Sequence, residues 1–598
     1  MKKTILTTLV LFMVYFSKAQ TFNPLLATML QDTLNTYVSQ IPNIKGMSVG
    51  VYVPGQGIWK GVTGVSYTGQ PITPDMRMGI ASNSKLFVSI IMLMLAEDNI
   101  LSLDDSLSAW LPNYPNVNPN IKIRQLLNHT SGISDPIFVS PWMDTINANP
   151  TRVFTPNEVL SWLGPPTFPA GTGYGYSNVN YILAGMIAKN ATGFHISKLI
   201  RDSILTPLNM DSTFYDVEEP EVGVVAHRWW NNIDYHDTSR VGINSAGGCA
   251  GSMFSTAAEM VQWYNALFDG QVINQASITE LTTFLPTSNP NMQYGLGFAR
   301  ETLQGYKYWG HGGTTWGYRS RMIYDSCLHV AVCGLSNSFP SGMDAVTFLI
   351  YRAVKNHIPG CSSAIAGLTT LCAGTNSVMY TVPPISNATS YTWTLPSGVT
   401  GISNTNSITV NFGLGAVSGN IIVQGVNNYG PGGSSSIWVT VNPIPVAPVI
   451  SQNGNVLSSS APSGNQWFNS SGIIVGSNNA NYTITSNDNY YCIVTQLGCS
   501  SDTSNIINAV FTDVQEKKNS MDIAIYPNPA SNYIFVKSNN KLTKDMTLNF
   551  YNALGVLVRT ENINQNQQQF NILDMANGFY IVEIKSGEMS ARQLLIIQ

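Results

Sequence analysis

Hydrophobic positions follow one spacing in the first 360 residues of the chain and another in the rest. Two apolar runs of strand length, 46–53 and 329–335, lie near the two ends of the first region. Between them, longer segments carry the apolar periodicity that is typical of helices, most clearly 85–98, 181–189 and 257–268. Strands at both ends of a helical middle predict an α+β domain whose sheet draws on both ends of the region.

After residue 361 the pattern changes to short alternating runs separated by Ser, Thr, Asn and Gly, such as 390–395 and 407–412. Short strands with turn residues between them predict β-sandwiches. The predicted organisation is a signal peptide at 1–20, the α+β domain at 21–358, and three all-β sandwich domains at 361–443, 444–511 and 524–598.

The N-terminus has the pattern of an export signal. Basic residues at 2–3 precede an apolar run at 5–16, and small residues follow it at 17–20. A membrane anchor is the less favoured alternative, because about 12 apolar residues are too few for the roughly 20 that span a bilayer. No cysteine follows the run for a lipid anchor, so we expect a secreted or surface-displayed protein.

Charge and cysteine content bear on the possible partners, disulfides and metal sites of the protein. Only 10% of residues are charged and the net charge is −4, which gives no support for a nucleic-acid partner. Seven cysteines leave at least one unpaired, and export permits disulfides. Closeness in sequence predicts the pairs Cys361–Cys372 and Cys492–Cys499. No cysteine–histidine cluster has zinc-site spacing, and we predict neither a metal nor another cofactor.

The first candidate for chemistry is the Ser-x-x-Lys motif of Ser82 and Lys85. Positions i and i+3 share a helix face, so the lysine amine can lie beside the serine hydroxyl and serve as its base once burial has lowered its pKa. The apolar run 86–95 that follows predicts a buried helix, which would hold the nucleophile rigidly. The motif alone is weak, since 538–541 also fits it.

Two further elements follow in order. Tyr176-x-Asn178 offers a hydroxyl that can relay a proton and an amide that can orient the base or the substrate. His311-Gly312-Gly313, followed by Thr314, suits a strand along which substrate can lie. Each motif is common by itself, but all three in this order predict a serine hydrolase site.

With these motifs, residues from about 30 to 355 resemble the serine β-lactamase-like superfamily, in the branch of class C β-lactamases, D-alanyl-D-alanine carboxypeptidases, D-aminopeptidases and esterases. The segments 123–133, 176–185 and 310–314 match as well. The resemblance implies an antiparallel sheet flanked by helices and an acyl-enzyme on Ser82. It further implies that Lys85 and Tyr176 together act as the general base, and that the backbone N–H groups of Ser82 and Thr314 form the oxyanion hole. Asn178, His311, Gly312, Gly313 and Thr314 would bind substrate.

One departure from that family is informative. Class C β-lactamases have Lys-Thr-Gly where this chain has His311-Gly-Gly, and the lysine helps to hold the substrate carboxylate. A histidine of ordinary pKa is mostly neutral at pH 7 and holds an anion less firmly. We therefore favour efficient β-lactam hydrolysis less. Arg319 or Arg321 could supply the charge, but strand alternation puts both on one face without saying which.

Five other residues are candidates for a role. His129 could pair with a serine, but we interpret it as structural because Lys85 already serves as the base. The glycine turn around Cys249 is expected near the site. Trp229, Trp230 and Trp316 could line the pocket, with core packing as the alternative for the first two.

The three β-modules carry resemblances of their own. Residues 361–441 resemble a PKD-like module, whose usual second cysteine is replaced here by Tyr429, and this favours Cys361 as the partner of Cys372. The next module looks Ig-like. The last, with its Tyr-Pro-Asn-Pro start at 526–529, resembles the C-terminal sorting domain of type IX secretion and implies that machinery as a partner. We interpret the first two modules as spacers, with glycan or protein binding as the alternative.

The sequence thus predicts an exported serine hydrolase that acts on a small-molecule or peptide substrate, an ester or an amide that could be a D-amino-acid peptide. Peptidoglycan D,D-carboxypeptidase and β-lactamase are the alternatives within the enzyme class. The alternative from another class is a surface adhesion protein with an inactive hydrolase-like domain, for which a cell-surface glycan would be the partner. The complete set of Ser82, Lys85, Tyr176 and Asn178 argues against that alternative.

Overall fold

The computed structural model describes residues 21–137, 139–512, 522–538, 546–587 and 589–598. The predicted signal peptide lies outside these residues. The described residues form two units. The first contains the chain up to Pro445 together with Thr495–Ser500, and the second contains Val446–Val494 and the residues from Ser501 onward.

The first unit begins with a domain of eleven α-helices and fifteen strands in its described residues. The helices are Pro24–Gln40 (α1), Ser84–Glu97 (α2), Ile123–Leu127 (α3), Trp142–Ala148 (α4), Pro156–Leu160 (α5), Val179–Thr192 (α6), Ile196–Ile200 (α7), Val241–Gly247 (α8), Ala257–Phe268 (α9), Gln275–Leu281 (α10) and Met343–His357 (α11). The strands are Gly46–Val53 (β1), Gly57–Tyr67 (β2), Gln70–Pro71 (β3), Met78–Gly79 (β4), Phe214–Tyr215 (β5), Trp229–Trp230 (β6), Ile233–Asp234 (β7), Met253–Ser255 (β8), Leu285–Pro286 (β9), Met292–Tyr294 (β10), Ala299–Leu303 (β11), Tyr306–Thr315 (β12), Tyr318–Asp325 (β13), Val330–Ser336 (β14) and Ser338–Phe339 (β15).

One antiparallel sheet organises this domain. Its strand order is β3-β2-β1-β14-β13-β12-β11-β10-β9, so β1 from the start of the domain pairs with β14 from its end, with Val49 opposite Gly334. Strand β1 is apolar almost throughout because both faces of the sheet are covered. The predicted α+β domain with a sheet drawn from both ends is confirmed.

The two faces of the sheet pack against different helices. Helices α1 and α11 cover one face through residues such as Leu26 and Val354, both fully buried. Helices α2 and α9 cover the other, where Phe87 stacks on Trp263 with ring centroids 4.5 Å apart. Because α2 lies between the sheet and the remaining helices, it is buried on nearly all sides, as its apolar sequence predicts.

The first β-module completes this unit. Its strands are Thr370–Cys372 (β16), Val378–Thr381 (β17), Ser390–Thr394 (β18), Val399–Thr400 (β19), Ser407–Phe412 (β20), Gly419–Asn427 (β21) and Gly430–Asn442 (β22). They form two sheets, β16-β22-β21-β18 and β17-β20-β19. The module is bonded to the first domain: Gln56 Nε2 donates to Tyr429 O at 2.9 Å, and Asn427 Nδ2 donates to His357 O at 2.7 Å.

Both predicted disulfides are wrong. The structure pairs Cys327 with Cys361 and Cys372 with Cys499, at Cα–Cα distances of 5.8 and 5.6 Å. Cys361 follows the end of α11 and lies against the turn between β13 and β14. Cys327 is part of that turn, so it is closer to Cys361 in the fold than Cys372 is, although Cys372 is nearer in sequence. Cys492 is fully buried in the core of its module and unpaired. Cysteine partners are set by this packing and not by closeness in sequence.

The second unit contains the remaining strands. Those between residues 450 and 509 are Ile450–Asn453 (β23), Val456–Ser459 (β24), Asn465–Asn469 (β25), Gly472–Ile473 (β26), Asn481–Thr483 (β27), Asp488–Gln496 (β28), Cys499–Ser500 (β29) and Ile507–Ala509 (β30), with β29 and the end of β28 assigned to the first unit. The last are Ile523–Tyr526 (β31), Tyr533–Ser538 (β32), Met546–Asn552 (β33), Leu557–Ile563 (β34), Gln567–Asn571 (β35), Gly578–Ser586 (β36) and Met589–Ile597 (β37). The predicted all-β character of the C-terminal region is confirmed. None of the helices within the described residues is long and apolar enough to cross a membrane.

Candidate active site

Ser82 lies on a short 3₁₀ turn, Ala81–Asn83, that continues directly into α2. Ala81 has a positive φ of 48°, a conformation that is uncommon for a residue with a side chain. Two hydrogen bonds hold the turn against β13: Ser320 Oγ donates to Ile80 O at 2.6 Å, and Asn83 Nδ2 donates to Ser320 Oγ at 2.8 Å. The hydroxyl of Ser82 is thus fixed at the junction of a buried helix and the central sheet.

Lys85 is fully buried one helical turn after Ser82. Its Nζ lies 3.1 Å from Ser82 Oγ and 2.7 Å from both Asn178 Oδ1 and Ala250 O. Burial lowers the pKa of Lys85 to about 7, although the nearby Asp135 carboxylate opposes the shift. A substantial fraction of this amine is therefore neutral at physiological pH.

Tyr176 reaches the same serine oxygen from the other side. Its hydroxyl donates to Ser82 Oγ at 2.8 Å, and Lys85 Nζ lies 4.9 Å from the centre of its ring. Burial raises the pKa of the Tyr176 hydroxyl well above its ordinary value, so this group keeps its proton at neutral pH. Ser82 thus lies between a neutralisable amine and a protonated phenol.

Asn178 begins α6 as its N-cap and links Lys85 to a residue that the sequence analysis missed. While its Oδ1 contacts Lys85, its Nδ2 donates to Asp135 Oδ2 at 2.8 Å and its backbone N–H to the same oxygen at 3.2 Å. Asp135 lies two residues beyond the matched segment 123–133. Its place next to that segment was the available signal, but nothing in the spacing indicated its partner.

His311 lies on β12 and is almost fully buried. Its Nδ1 is 2.5 Å from Gly312 O, which can only accept, so Nδ1 carries the proton and Nε2 accepts from Tyr294 OH at 2.9 Å. Burial lowers the pKa of His311 to about 3, and the Lys85 charge adds to the effect. The imidazole is neutral, as its ordinary pKa already suggested, and Tyr294 is a second residue that the sequence analysis missed.

The glycines after His311 let β12 approach the nucleophile. A Cβ at Gly313 would lie 2.3 Å from Ile80 O and 2.4 Å from Ser320 Oγ, so no side chain fits at this position. Gly312, one residue earlier, points to the opposite side of the sheet. Thr314 follows and lines the same pocket as Ser82 and Asn178, a space of about 40 Å³.

The profile described as "Beta-lactamase" matches residues 34–354, which is more than half of the chain.

The chain belongs to the beta-lactamase family.

Two further profiles match, "PKD-like domain" at 359–439 and "Secretion system C-terminal sorting domain" at 524–598. The sorting domain marks the chain for secretion to the cell surface or outer membrane.

Several relatives are similar to this beta-lactamase-family domain. A D-aminopeptidase of Brucella anthropi is 27% identical over 53% of this chain and 61% of its own length, and a penicillin-binding protein of Bacillus subtilis is 27% identical over 42% and 59%. The chain therefore spans about three fifths of the length of these curated relatives. A D-amino acid amidase structure from Ochrobactrum anthropi SV3, complexed with D-phenylalanine, is 25% identical with a TM-score of 0.51, over 55% of this chain and 99% of that chain.

Arg319 and Arg321 of the beta-lactamase-family domain lie away from Ser82. Register pairs Ser320 with Gly313, and Arg319 with Thr314. We call the side of β12 and β13 that carries His311, Gly313 and Ser320 the front face, and the opposite side the rear face. Arg319 on the rear face pairs with Asp344 of α11 and contacts Thr314 Oγ1.

Arg321 pairs with Glu301 at 2.6 Å on the same rear face. Both guanidinium groups are thus committed to carboxylates behind the sheet. Neither supplies the cation that the sequence analysis considered as a replacement for the family's lysine.

The remaining candidates have structural contacts. His129 is fully buried, and its Nδ1 accepts from Ser177 N–H at 3.2 Å, in agreement with the structural interpretation. The turn containing Cys249 lies beside the site, since the next residue, Ala250, contacts Lys85. The three tryptophans are not among the residues that line the Ser82 pocket: Trp229 Nε1 donates to Ser66 O at 2.8 Å, and Trp316 packs against Tyr235.

Proposed function

We propose that this exported protein is a serine hydrolase that forms an acyl-enzyme on Ser82. The observation that carries the proposal is the convergence of two groups on one oxygen. Lys85 Nζ at 3.1 Å and Tyr176 OH at 2.8 Å both lie within hydrogen-bond distance of Ser82 Oγ. A nucleophilic serine needs an adjacent base, and this pair offers a base and a proton donor together.

The hydrogen-bond partners of Lys85 are compatible with a neutral amine that acts as the base. Its two shortest contacts, to Asn178 Oδ1 and Ala250 O, are to oxygens that can only accept. A neutral amine has two N–H donors, which these carbonyl oxygens use up. Its lone pair then faces Ser82 Oγ and can take the serine proton.

Acyl transfer follows from this arrangement. As Lys85 removes the proton, Ser82 Oγ attacks the substrate carbonyl, and the backbone N–H groups of Ser82 and Thr314 are proposed to stabilise the oxyanion. The protonated Tyr176 hydroxyl hands a proton to the leaving amine or alcohol and recovers one from Lys85. Water then attacks the ester on Ser82. Tyr176 and Lys85 transfer protons in the reverse order, so that Ser82 recovers its proton and the acid is released.

The substrate proposed is an ester or amide without a free carboxylate beside the scissile bond. None of the residues that line the Ser82 pocket is charged, His311 is neutral, and Arg319 and Arg321 are committed to the rear face. Relatives named D-aminopeptidase and D-amino acid amidase support a D-amino-acid amide or peptide. The same observations make a D,D-carboxypeptidase or β-lactamase, whose substrates carry that carboxylate, less favoured.

The first two β-modules are proposed to be spacers. The third, the sorting domain, is proposed to be recognised by the type IX secretion machinery. Glycan binding by the modules stays a prediction.

The substrate class is tested by two matched acyl donors, D-alanyl-D-alanine amide and D-alanyl-D-alanine, which differ only in the terminal charge. We expect kcat/KM for cleavage of the D-alanyl-D-alanine bond to be at least about tenfold higher for the amide, because a buried anion without a charged partner loses roughly 1.5–3 kcal/mol. Faster cleavage of the free acid would contradict the proposed substrate class and favour a carboxypeptidase.

A further inference from the structure

A second cavity lies behind the wall of the Ser82 pocket and is the larger of the two, at about 240 Å³ against about 40 Å³. Asn244 lines both spaces, whereas Cys249 lines the cavity and Ala250 lines the pocket. One chain segment, 244–250, therefore separates them. A cavity of this volume is smaller than the usual site for a drug-sized ligand and suits a smaller molecule, and the proposed chemistry at Ser82 does not use it.

The interior of the cavity is apolar. Phe154, Ile182 and Ala246 are nearly or fully buried in its walls, and Met186 adds a partly buried side chain from α6. These side chains favour an aliphatic or aromatic group.

Three charged side chains line the cavity, Lys189, Glu218 and Asp216, and Asp216 is already paired with Arg240 at 3.2 Å. Lys189, at the end of α6, forms no ion pair with a carboxylate in the described part of the chain. Within the described residues, the one basic nitrogen within 4 Å of the Glu218 carboxylate is His195 Nε2, at 3.8 Å, and burial lowers the pKa of His195. The imidazole is thus mostly neutral at pH 7 and leaves the Glu218 charge without compensation.

The lack of a charged partner distinguishes Glu218 from the acidic residues next to it. The other acids of the same loop each have an arginine partner: Glu219 pairs with Arg201 at 2.8 Å, and Glu221 with Arg240 at 2.6 Å. Glu218 instead acts electrostatically on His195, Tyr215 and Cys249, which all line the cavity. Glu218 lines the cavity with them, and its side chain is half-exposed.

We propose that this cavity binds an apolar zwitterion, a free amino acid or short peptide with an aliphatic or aromatic side chain. The side chain would fill the space beside Met186, the ammonium would meet Glu218, and the carboxylate would meet Lys189. A simple anion would be repelled by Glu218 and a simple cation by Lys189, so a zwitterion matches both charges. The ligand would touch segment 244–250, which also carries the Ala250 carbonyl bound to Lys85.

The test is calorimetric titration of the full chain with Ser82 occupied by a fluorophosphonate, so that neither turnover nor the catalytic pocket contributes. Where no adduct forms, Ser82→Ala prevents turnover, and the variants below separate binding in the cavity from binding in the pocket. The probes are D- and L-phenylalanine, 3-phenylpropionate and phenethylamine, which share the ring and differ in charge. We expect at least one phenylalanine enantiomer to bind at least tenfold more tightly than either singly charged analogue. Phenylpropionate or phenethylamine binding as tightly as phenylalanine, or no binding of phenylalanine, would overturn the proposal.

Variants locate the binding. Met186→Trp, which fills the cavity, is expected to abolish phenylalanine binding. Lys189→Gln should weaken binding of phenylalanine but not of phenethylamine, and Glu218→Gln should weaken binding of phenylalanine but not of phenylpropionate. Both are exposed rim positions that test the proposal even if Met186→Trp does not fold. Phenylalanine binding that is unchanged in both rim variants would contradict it, whatever the activity of Ser82.

Discussion

The front and rear faces of the strands β12 and β13 differ in the charged side chains that they carry. On the front face, His311 is neutral, Gly313 has no side chain, and Ser320 is hydrogen-bonded to the turn that carries Ser82. On the rear face, Arg319 and Arg321 are paired with Asp344 and Glu301. The same two strands thus keep permanent charge behind the sheet, while Lys85, with a pKa of about 7, is the ionisable base beside Ser82.

This difference explains how a buried lysine can serve as a base. A further cation on the front face would hold substrate carboxylates, and its field would change the protonation of Lys85. Instead, burial dominates and the Lys85 pKa falls to about 7. The comparison predicts large effects for changes on the front face and small ones for changes on the rear face.

Replacement of Lys85 is expected to have the largest effect. Lys85→Ala should lower the rate of Ser82 acylation by about 10²- to 10⁴-fold, the usual contribution of a general base. Lys85→Arg is the matched variant, because it keeps the charge but cannot lose its proton at neutral pH. It should fail as badly, measured by stopped-flow acylation with an activated ester. A Lys85→Arg protein that acylates normally would mean that charge and not basicity matters here.

A cation added to the front face should change the substrate preference. His311→Lys is expected to raise the rate with carboxylate-bearing acyl donors, relative to their amides, by about tenfold or more, since a hydrogen bond to a charged group contributes roughly 1.5–3 kcal/mol. His311→Gln, which is neutral, should leave the ratio unchanged. An unaltered ratio in both variants would show that the front face does not select against carboxylates.

The pH dependence of acylation reports on Lys85 directly. With a pKa of about 7, the neutral fraction, and with it the acylation rate, should rise about tenfold between pH 6 and pH 8. The Asp135 carboxylate raises the pKa of Lys85, so Asp135→Asn should move the midpoint to lower pH. A rate that stays flat from pH 6 to 8, or an Asp135→Asn midpoint at higher pH, would contradict this assignment.

The smallest effect is expected on the rear face. Asp344→Asn removes the carboxylate that pairs with Arg319, a partly exposed pair worth about 0–1 kcal/mol of the free energy of unfolding. Acylation of Ser82 should be unchanged, while the Tm falls slightly. A loss of activity without a loss of stability would place the rear-face charges in the reaction after all.

The sequence was sufficient to predict secondary-structure elements, but less so to predict which residues contact one another in the fold. Strand Gly46–Val53 and helix Ala257–Phe268 were predicted with the bounds that the structure has, because apolar spacing reports local structure. Alternation put Arg319 and Arg321 on one face, but only packing shows that this face is the rear one.

Contacts between distant residues were harder to predict. Asp135 is recognised only when α6 brings Asn178 to it, and Tyr294 only when β10 brings it to His311. The disulfides were mispaired for the same reason, since Cys372 and Cys499 are 127 residues apart in the chain. Such partners depend on tertiary packing, which a single sequence does not display.

The central claim is that Ser82 is an activated nucleophile. It is tested most directly by the intact mass of the full chain after incubation with a fluorophosphonate, for the wild type and for Ser82→Ala. The account predicts one phosphonyl adduct per wild-type chain, formed with loss of fluoride, and none on Ser82→Ala. No adduct on the folded wild type, or an equal adduct on both proteins, would contradict it.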